Sequence, residues 1–322
     1  MKIRSEDIAF TREEMTGCKK CERLNPPDRL NCLYCGSELE VSPDRLKLIR
    51  PVIRELESWE PGLNVIVSVN PKLAENISAD VARSTGLRQE DAAAILSTGR
   101  PLPVARVGSQ RDAELMSTAL ISIGCTSAIL SDEELGPQRQ PSRLRAIEFK
   151  GSSLTLVEFN NGVQTTVSHE DIVLIVAGIV SSSQTEQLEK KRRGKETKVL
   201  EEVETETDEP VLDIYERSDT SGHRISLSGF DFSCLGPDKG YIASENLRRL
   251  TVRLRDFAPQ ARYSDDHLRL RRLIAAVWPP ESRRDARGMQ RSGFAKFEYG
   301  SRITSSNLSQ FNRFSRLERH SL

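Results

Sequence analysis

Long apolar runs are missing from this chain of 322 residues. Nothing in it approaches the roughly 18 consecutive apolar residues that cross a bilayer as a helix. The opening residues, Met1-Lys2-Ile3-Arg4-Ser5-Glu6-Asp7, lack the apolar stretch of a secretory leader, so the expected location is the cytoplasm. Cysteine is sparse: there are six, four of them grouped near the N-terminus and two, Cys125 and Cys234, isolated. A secreted disulfide framework would be denser and paired, and a reducing compartment fits this usage better. Aromatic residues make up 5% and hydrophobic residues 37%, against 29% charged. A chain so composed cannot pack along its whole length and is expected to be folded modules joined by solvated, charged linkers. A net charge is also absent. Lys plus Arg and Asp plus Glu number 47 each, which excludes an overall field drawing the chain to nucleic acid or to an anionic membrane and leaves only local patches. No pair of facing carboxylates, phosphate-cradling glycine loop or nucleophile elbow can be read.

What is present starts with Cys18-Lys19-Lys20-Cys21 and, ten residues on, Cys32-Leu33-Tyr34-Cys35-Gly36. Each Cys-x-x-Cys knuckle turns two sulfurs to one side of a tight loop, and two knuckles at this separation close a tetrahedral thiolate site. Cys18, Cys21, Cys32 and Cys35 are therefore the candidate ligands of one structural zinc ion. All four positions are filled, whereas catalytic zinc keeps one open. The reversal between the knuckles carries Pro26 and Pro27, and Gly36 follows the last ligand, where backbone must approach sulfur. This pattern, Cys-x-x-Cys with Asn25-Pro26-Pro27 and a closing Cys-x-x-Cys-Gly, resembles the small bacterial zinc ribbon over about residues 15–40, and a ribbon domain is expected at 14–42. The resemblance implies the fold and the metal, with no partner specified. The Ran-binding-protein type of finger shares the cysteine spacing and Asn25, and some of its members bind single-stranded RNA. It has a tryptophan two residues before the first cysteine, where this chain has Thr16.

Residues 43–60 place Leu46, Ile49, Val52, Ile53 and Leu56 near helical spacing behind Ser42-Pro43, predicting a linker helix. Residues 61–135 read as strand (Leu63–Val69), helix (Ala74–Ser84), helix (Gln89–Ser97), extended piece, helix (Gln110–Ile123) and strand (Thr126–Leu130). Gly86 suits the end of the first helix. That order, with Ser84-Thr85-Gly86-Leu87 followed by Glu90-Asp91-Ala92, resembles the C-terminal domain of the bacterial ribosomal stalk protein, and the Clp-protease adaptor for N-terminal degrons is similar. Both are docking modules, and the resemblance implies that this segment binds a protein.

From residue 143 to 280 the period changes to two. Strands are predicted at Arg145–Phe149, Leu154–Phe159, Gln164–Val167, Ile172–Ile179, Val211–Glu216, His223–Leu227 and Phe230–Ser233, with Asn160-Asn161-Gly162 as a hairpin turn. A helix follows through Leu247, Leu250, Leu254 and Phe257, and a last one at Leu268–Val277. Seven strands and a capping helix resemble the pleckstrin-homology-like sandwich. Within this module lies a charged insertion, residues 181–209. Its basic half (Lys190 to Lys198) and acidic half (Glu201 to Glu209) cannot bury a core and are expected to form a solvated loop. Cys234 and His223 are candidates for a nucleophile pair, but an isolated cysteine in an apolar strand is ordinarily small core filler. His169 and His267 are flanked by acids and read as surface residues. Residues 281–322, rich in Arg and Ser with Phe294, Phe297, Tyr299, Phe311 and Phe314 interleaved, read as a disordered basic tail.

The expectation is a multidomain α+β chain: an N-terminal zinc ribbon, a small α/β docking module and a split β-sandwich or barrel with a capping C-terminal helix. Its expected role is that of a non-enzymatic adaptor for protein partners. The alternative is RNA or ribosome association through the ribbon, the basic block and the tail.

Overall fold

The structure is a computed structural model describing residues 11, 15–27, 29, 31–37, 39–40, 54, 56–136, 140–191, 198–293 and 296–322. Residues 43–53 and 55 of the expected linker helix at 43–60 lie outside the described residues, and 54 and 56–60 are not helical. The architecture is mixed α/β and divides into two compact units, one holding residues 1–57 and 62–129, the other 58–61 and 130–322.

In the first unit, a two-residue strand pair, β1 (Thr16–Gly17) and β2 (Leu24–Asn25), carries the cysteine knuckles. Next comes a three-stranded sheet of order β4-β3-β5, built from β3 (Leu63–Ser68), β4 (Leu102–Val107) and β5 (Thr126–Ser131). Helices α1 (Ala74–Thr85), α2 (Gln89–Ser97) and α3 (Gln110–Ser122) complete the element order read from the sequence. Strand β3 is a continuous apolar run because it is a central strand: Val65, Ile66 and Val67 are all buried. The helices turn Val81, Ile95, Leu96, Met116 and Leu120 inward at helical spacing. Gly86 ends α1 in the left-handed region at φ 75°, its N–H returning to the Ala82 carbonyl. Ser109 caps α3 by accepting from the Asp112 N–H.

The second unit is organised by a nine-stranded sheet of order β13 (Glu281–Gly293), β14 (Lys296–Ser306), β9 (Ile172–Lys191), β10 (Lys198–Glu216), β11 (His223–Ser226), β6 (Ser142–Lys150), β7 (Ser153–Glu158) and β8 (Gln164–Ser168), with the short β12 (Arg262–Ser264) also pairing β9. Strands β6 (Ser142–Lys150), β7 (Ser153–Glu158) and β8 (Gln164–Ser168) form an antiparallel meander. Its first hairpin turn after β7 has Gly162 at φ 69° and the Val163 N–H bonded to Asn161 Oδ1. Strand β11 (His223–Ser226) joins this meander to the rest through a parallel contact with β6. Helix α4 (Ala243–Phe257) lays Leu247, Leu250 and Leu254 into a core shared with Ile147, Leu156, Ile175, Leu212 and Ile225.

Four sequence expectations are corrected in this unit. The insertion at 181–209 is strand and not a solvated loop for most of its length: β9 runs Ile172–Lys191 and β10 runs Lys198–Glu216, paired antiparallel almost throughout. Polar chains lack hydrophobic alternation, but their backbone groups ladder here between neighbours on both sides of β9. The tail at 281–322 is ordered as β13 (Glu281–Gly293), β14 (Lys296–Ser306) and helix α6 (Leu308–His320). Strand β14 pairs β9 over Ser182–Lys191, and α6 is buried from Gln310 to Glu318. Its charges are matched inside the fold: Arg313 faces Asp132 at 3.4 Å, Arg316 donates to the Ser221 carbonyl at 2.7 Å, and Glu318 accepts from Arg262 at 2.5 Å. Residues Phe232–Asp238 form a 3₁₀ turn in place of the expected strand at Phe230–Ser233, because Asp231 caps it by accepting from the Ser233 N–H. His267 is fully buried in helix α5 (His267–Ile274), against the rings of Phe311 and Phe314 at 4.9 and 5.4 Å.

Helix α6 rests on β9 at Gly178, where any Cβ would collide with the Phe311 ring. Below it lies a buried polar network. Asp213 accepts two hydrogen bonds from Arg224, at 2.6 and 2.7 Å, and a third from Ser315 Oγ at 2.8 Å. Since the Ser315 hydrogen goes to the carboxylate, the Tyr215 hydroxyl, 2.7 Å away, is the donor to Ser315. Burial pushes the Tyr215 pKa upward and keeps the phenol protonated.

Candidate metal centre

Two tight turns bring the four predicted ligands together. In the first, the Glu22 N–H returns to the Cys18 carbonyl at 2.7 Å and the Cys18 N–H to the Arg23 carbonyl at 3.0 Å, with Glu22 in the left-handed region at φ 58°. In the second, the Gly36 N–H returns to the Cys32 carbonyl at 2.9 Å and the Cys32 N–H to the Ser37 carbonyl at 2.8 Å; Gly36 stands at φ 71°. The knuckles thus repeat one geometry. In both, the amide two residues after the leading cysteine donates to its sulfur at 3.4 Å, Lys20 to Cys18 and Tyr34 to Cys32. Such amides stabilise thiolate.

The four sulfurs lie within 4.8 Å of one another. Cys18 to Cys35 is 3.6 Å and Cys21 to Cys32 is 3.4 Å. A tetrahedral zinc with bonds of about 2.3 Å has ligand edges of about 3.8 Å, so the cluster is close to the required size. All four cysteines are free, Cys18 and Cys32 buried and Cys35 exposed. The Cys18 thiol is held down to about 6, chiefly by its bond to the Ser37 hydroxyl, against the opposing effect of burial. Four clustered cysteine sulfurs and these supporting donors fit a metal ion of the zinc type, and such an ion would cross-link the two turns.

Asn25 connects the turns. Fully buried, it donates to the Arg23 carbonyl at 2.9 Å and to Cys32 Sγ at 3.5 Å, and accepts from the Leu33 N–H at 2.8 Å. Ser37 also touches two ligands, with its hydroxyl 3.1 Å from Cys18 and 3.0 Å from Cys35. Sequence reasoning did not single out Ser37; a hydroxyl residue immediately after the Cys-Gly ending was the available signal. Around this frame the side chains of Leu33 and Tyr34 stand 56% and 57% exposed and Leu24 38%. The Arg23 guanidinium lies over the Tyr34 ring, 4.8 Å from its centre. Lys19 pairs with Glu40, an exposed contact of little energetic weight.

His223 and Cys234 each have other neighbours. His223 bonds Glu216 Oε1 at 3.0 Å in the β10–β11 ladder, while Cys234 sits half-buried in the 3₁₀ turn beside Arg253, Asp231 and Lys239. Burial pushes that thiol up to about 11, away from nucleophilic character at neutral pH. The chain matches no protein-family model, no curated protein and no solved structure.

Proposed function

We propose that the chain is a non-enzymatic adaptor of the reducing cytoplasm, whose ribbon is stapled by one structural zinc ion and which recruits protein partners. One observation carries this reading: the exposed Leu33–Tyr34 pair lies between two ligands, Cys32 and Cys35. Metal binding at flanking residues fixes an exposed apolar and aromatic surface that the short segment could not hold in one conformation unaided. With four thiolates on the ion, no position remains for a reacting water, so its chemistry is structural. In this reading the α/β segment acts as a stalk-domain-like docking module, supported by its element order. The sheet from β6 to β11 with α4 acts as a pleckstrin-homology-like one, supported by the single-helix cap over its core.

A second reading, association with RNA, has one observation behind it: the stacked Arg23 and Tyr34 resemble the aromatic and guanidinium platforms on which single-stranded bases stack. The arginines of the former tail lend it less, because Arg302, Arg313, Arg316 and Arg319 are engaged within the second unit.

The test is a tagged pull-down from the native cytoplasm at physiological salt, divided into nuclease-treated and untreated halves, with a Leu33→Ser/Tyr34→Ser variant beside the parent. Retained zinc with loss of a nuclease-resistant set of proteins supports the adaptor. Bound proteins that vanish with nuclease, and binding that falls steeply with salt, support the RNA reading. An unchanged protein set in the double variant overturns the role given to the knuckle surface.

A further inference from the structure

The distal parts of β13, β14, β9 and β10 form a four-stranded arm whose two outer strands are each paired on one side only, among the described residues. Strand β10 is covered by β11 from Val211 to Ile214 and has β9 alone beside it over residues 198–210. Strand β13 has β14 alone beside it over its 13 residues. Long open edges of this kind are templates for further strands.

The two edges differ in charge. The open part of β10 holds Glu201, Glu202, Glu204, Glu206, Asp208 and Glu209 against Lys198, while β13 holds Arg283, Arg284, Arg287 and Arg291 against Glu281 and Asp285. Two β10 edges would repel one another, and so would two β13 edges; a β10 edge and a β13 edge attract. Strand direction agrees. Strand β9 is antiparallel to both β10 and β14, and β14 to β13, so β10 and β13 run in opposite directions across the arm. A second copy in the same orientation therefore presents its β13 antiparallel to the β10 of the first. The register agrees as well: Glu204 is level with Thr185, Thr185 with Ile303, and Ile303 with Arg284. Both Glu204 and Arg284 are exposed. Carried across to a neighbour without slippage, the ladder sets Glu204 of one copy opposite Arg284 of the next.

We propose that the arm is a self-association surface, joining the acidic β10 edge of one copy to the basic β13 edge of another by continuing the sheet. Such a contact is head-to-tail, so it builds rings or filaments, not closed two-fold pairs.

The test is sedimentation velocity and mass photometry of the full chain from low to high micromolar concentration, at low and moderate salt. The parent is expected to form a concentration-dependent series of assemblies that shortens as salt rises. Glu204→Lys and Arg284→Glu each set like charges opposite one another and should weaken association about tenfold or more. Mixing the two variants restores both contacts in alternation, and the Glu204→Lys/Arg284→Glu double variant restores them within one protein. Because both positions are exposed, Trp278 fluorescence should be that of the parent in every variant. A parent that stays monomeric throughout overturns the proposal. So does association that survives either single reversal, or that the mixture fails to recover.

Discussion

Replacing Arg224 by methionine removes two of the three hydrogen bonds described to the Asp213 carboxylate, at a position where the aspartate is fully buried and the arginine side chain 8% exposed. Ser315 alone cannot replace them. Breaking a buried pair from one side leaves an uncompensated charge, and the expected loss is about 3–5 kcal/mol. That is a large share of the roughly 5–15 kcal/mol by which a domain is stable. Removing both charges, as Asp213→Leu/Arg224→Met, leaves Ser315 and Tyr215 to bond each other beneath α6, with Leu212 and Ile214 as strand neighbours. It should therefore cost at least about 2 kcal/mol less than Arg224→Met alone. Methionine retains the stem that packs beside Phe311, whose ring centre is 4.8 Å from the guanidinium carbon, so packing is the smaller part of the change. Urea unfolding at pH 7, followed by tryptophan fluorescence, measures this in the right unit. Trp278 is fully buried there and Trp59 is 74% exposed, so the signal change reports Trp278. A cost under about 1 kcal/mol for Arg224→Met, or a double variant that costs the sum of the singles, would refute the reasoning.

Three further outcomes are expected. Asn25→Ala removes the donor to Cys32 and the acceptor that aligns Leu33, and a chelator competition titration should show zinc bound roughly 10–100-fold more weakly, with all four ligands still in place. Burial lowers the pKa of His267 from 6.5 to about 4, opposed by Gln310 and Asp213 and reinforced by Arg271 and Arg224. The unfolded chain then binds the proton first as pH falls. The stability associated with neutral His267 is complete above about pH 6.5 and is lost progressively toward pH 4, by up to about 3 kcal/mol. Urea midpoints of parent and His267→Leu across pH 4–7 should show that slope only in the parent. Gly178→Ala drives a methyl group into the Phe311 ring and should destabilise the second unit by about 1–3 kcal/mol, measurable by the same fluorescence; Gly178→Ala/Phe311→Leu should recover part of the loss.

In the first unit, the order of elements from Leu63 to Ser131 was legible in the sequence, since its signals are local. Gly86, the apolar run at Val65–Val67 and the i, i+3, i+7 spacing of Ala113, Met116 and Leu120 each act within one element. The same is true of the cysteine knuckles, whose spacing encodes their turns. The arm and α6 were not legible because what orders them comes from far away in the chain. Glu186 reads as solvated until Arg302 reaches it, and Arg313 as tail until Asp132 faces it. His267 was misread from its acidic neighbours: Asp265 and Asp266 precede α5, and the helix then turns the imidazole toward Phe311. Asp213 offered one clue, a charge in the apolar run Val211-Leu212-Asp213-Ile214-Tyr215, where burial without a partner is unaffordable.

Asn307 gives the second unit a kinetic consequence. Its side chain bonds the Ser181 N–H and the Ile179 carbonyl, 126 and 128 residues earlier, at the point where β9 leaves the core for the arm. Half of β9 lacks its β14 partner, and the Tyr215 hydroxyl lacks Ser315, until those residues have been synthesised. Closing loops of that length precedes any reward from the contacts, so the second unit belongs among slow, high-contact-order folders. The first unit, emerging earlier and held by short-range helices, can be finished while the long strands still wait. Each newly made chain then passes through an interval in which β9, paired with β10 on one side, leaves the backbone of its other edge open over Ser182–Lys191 until β14 arrives.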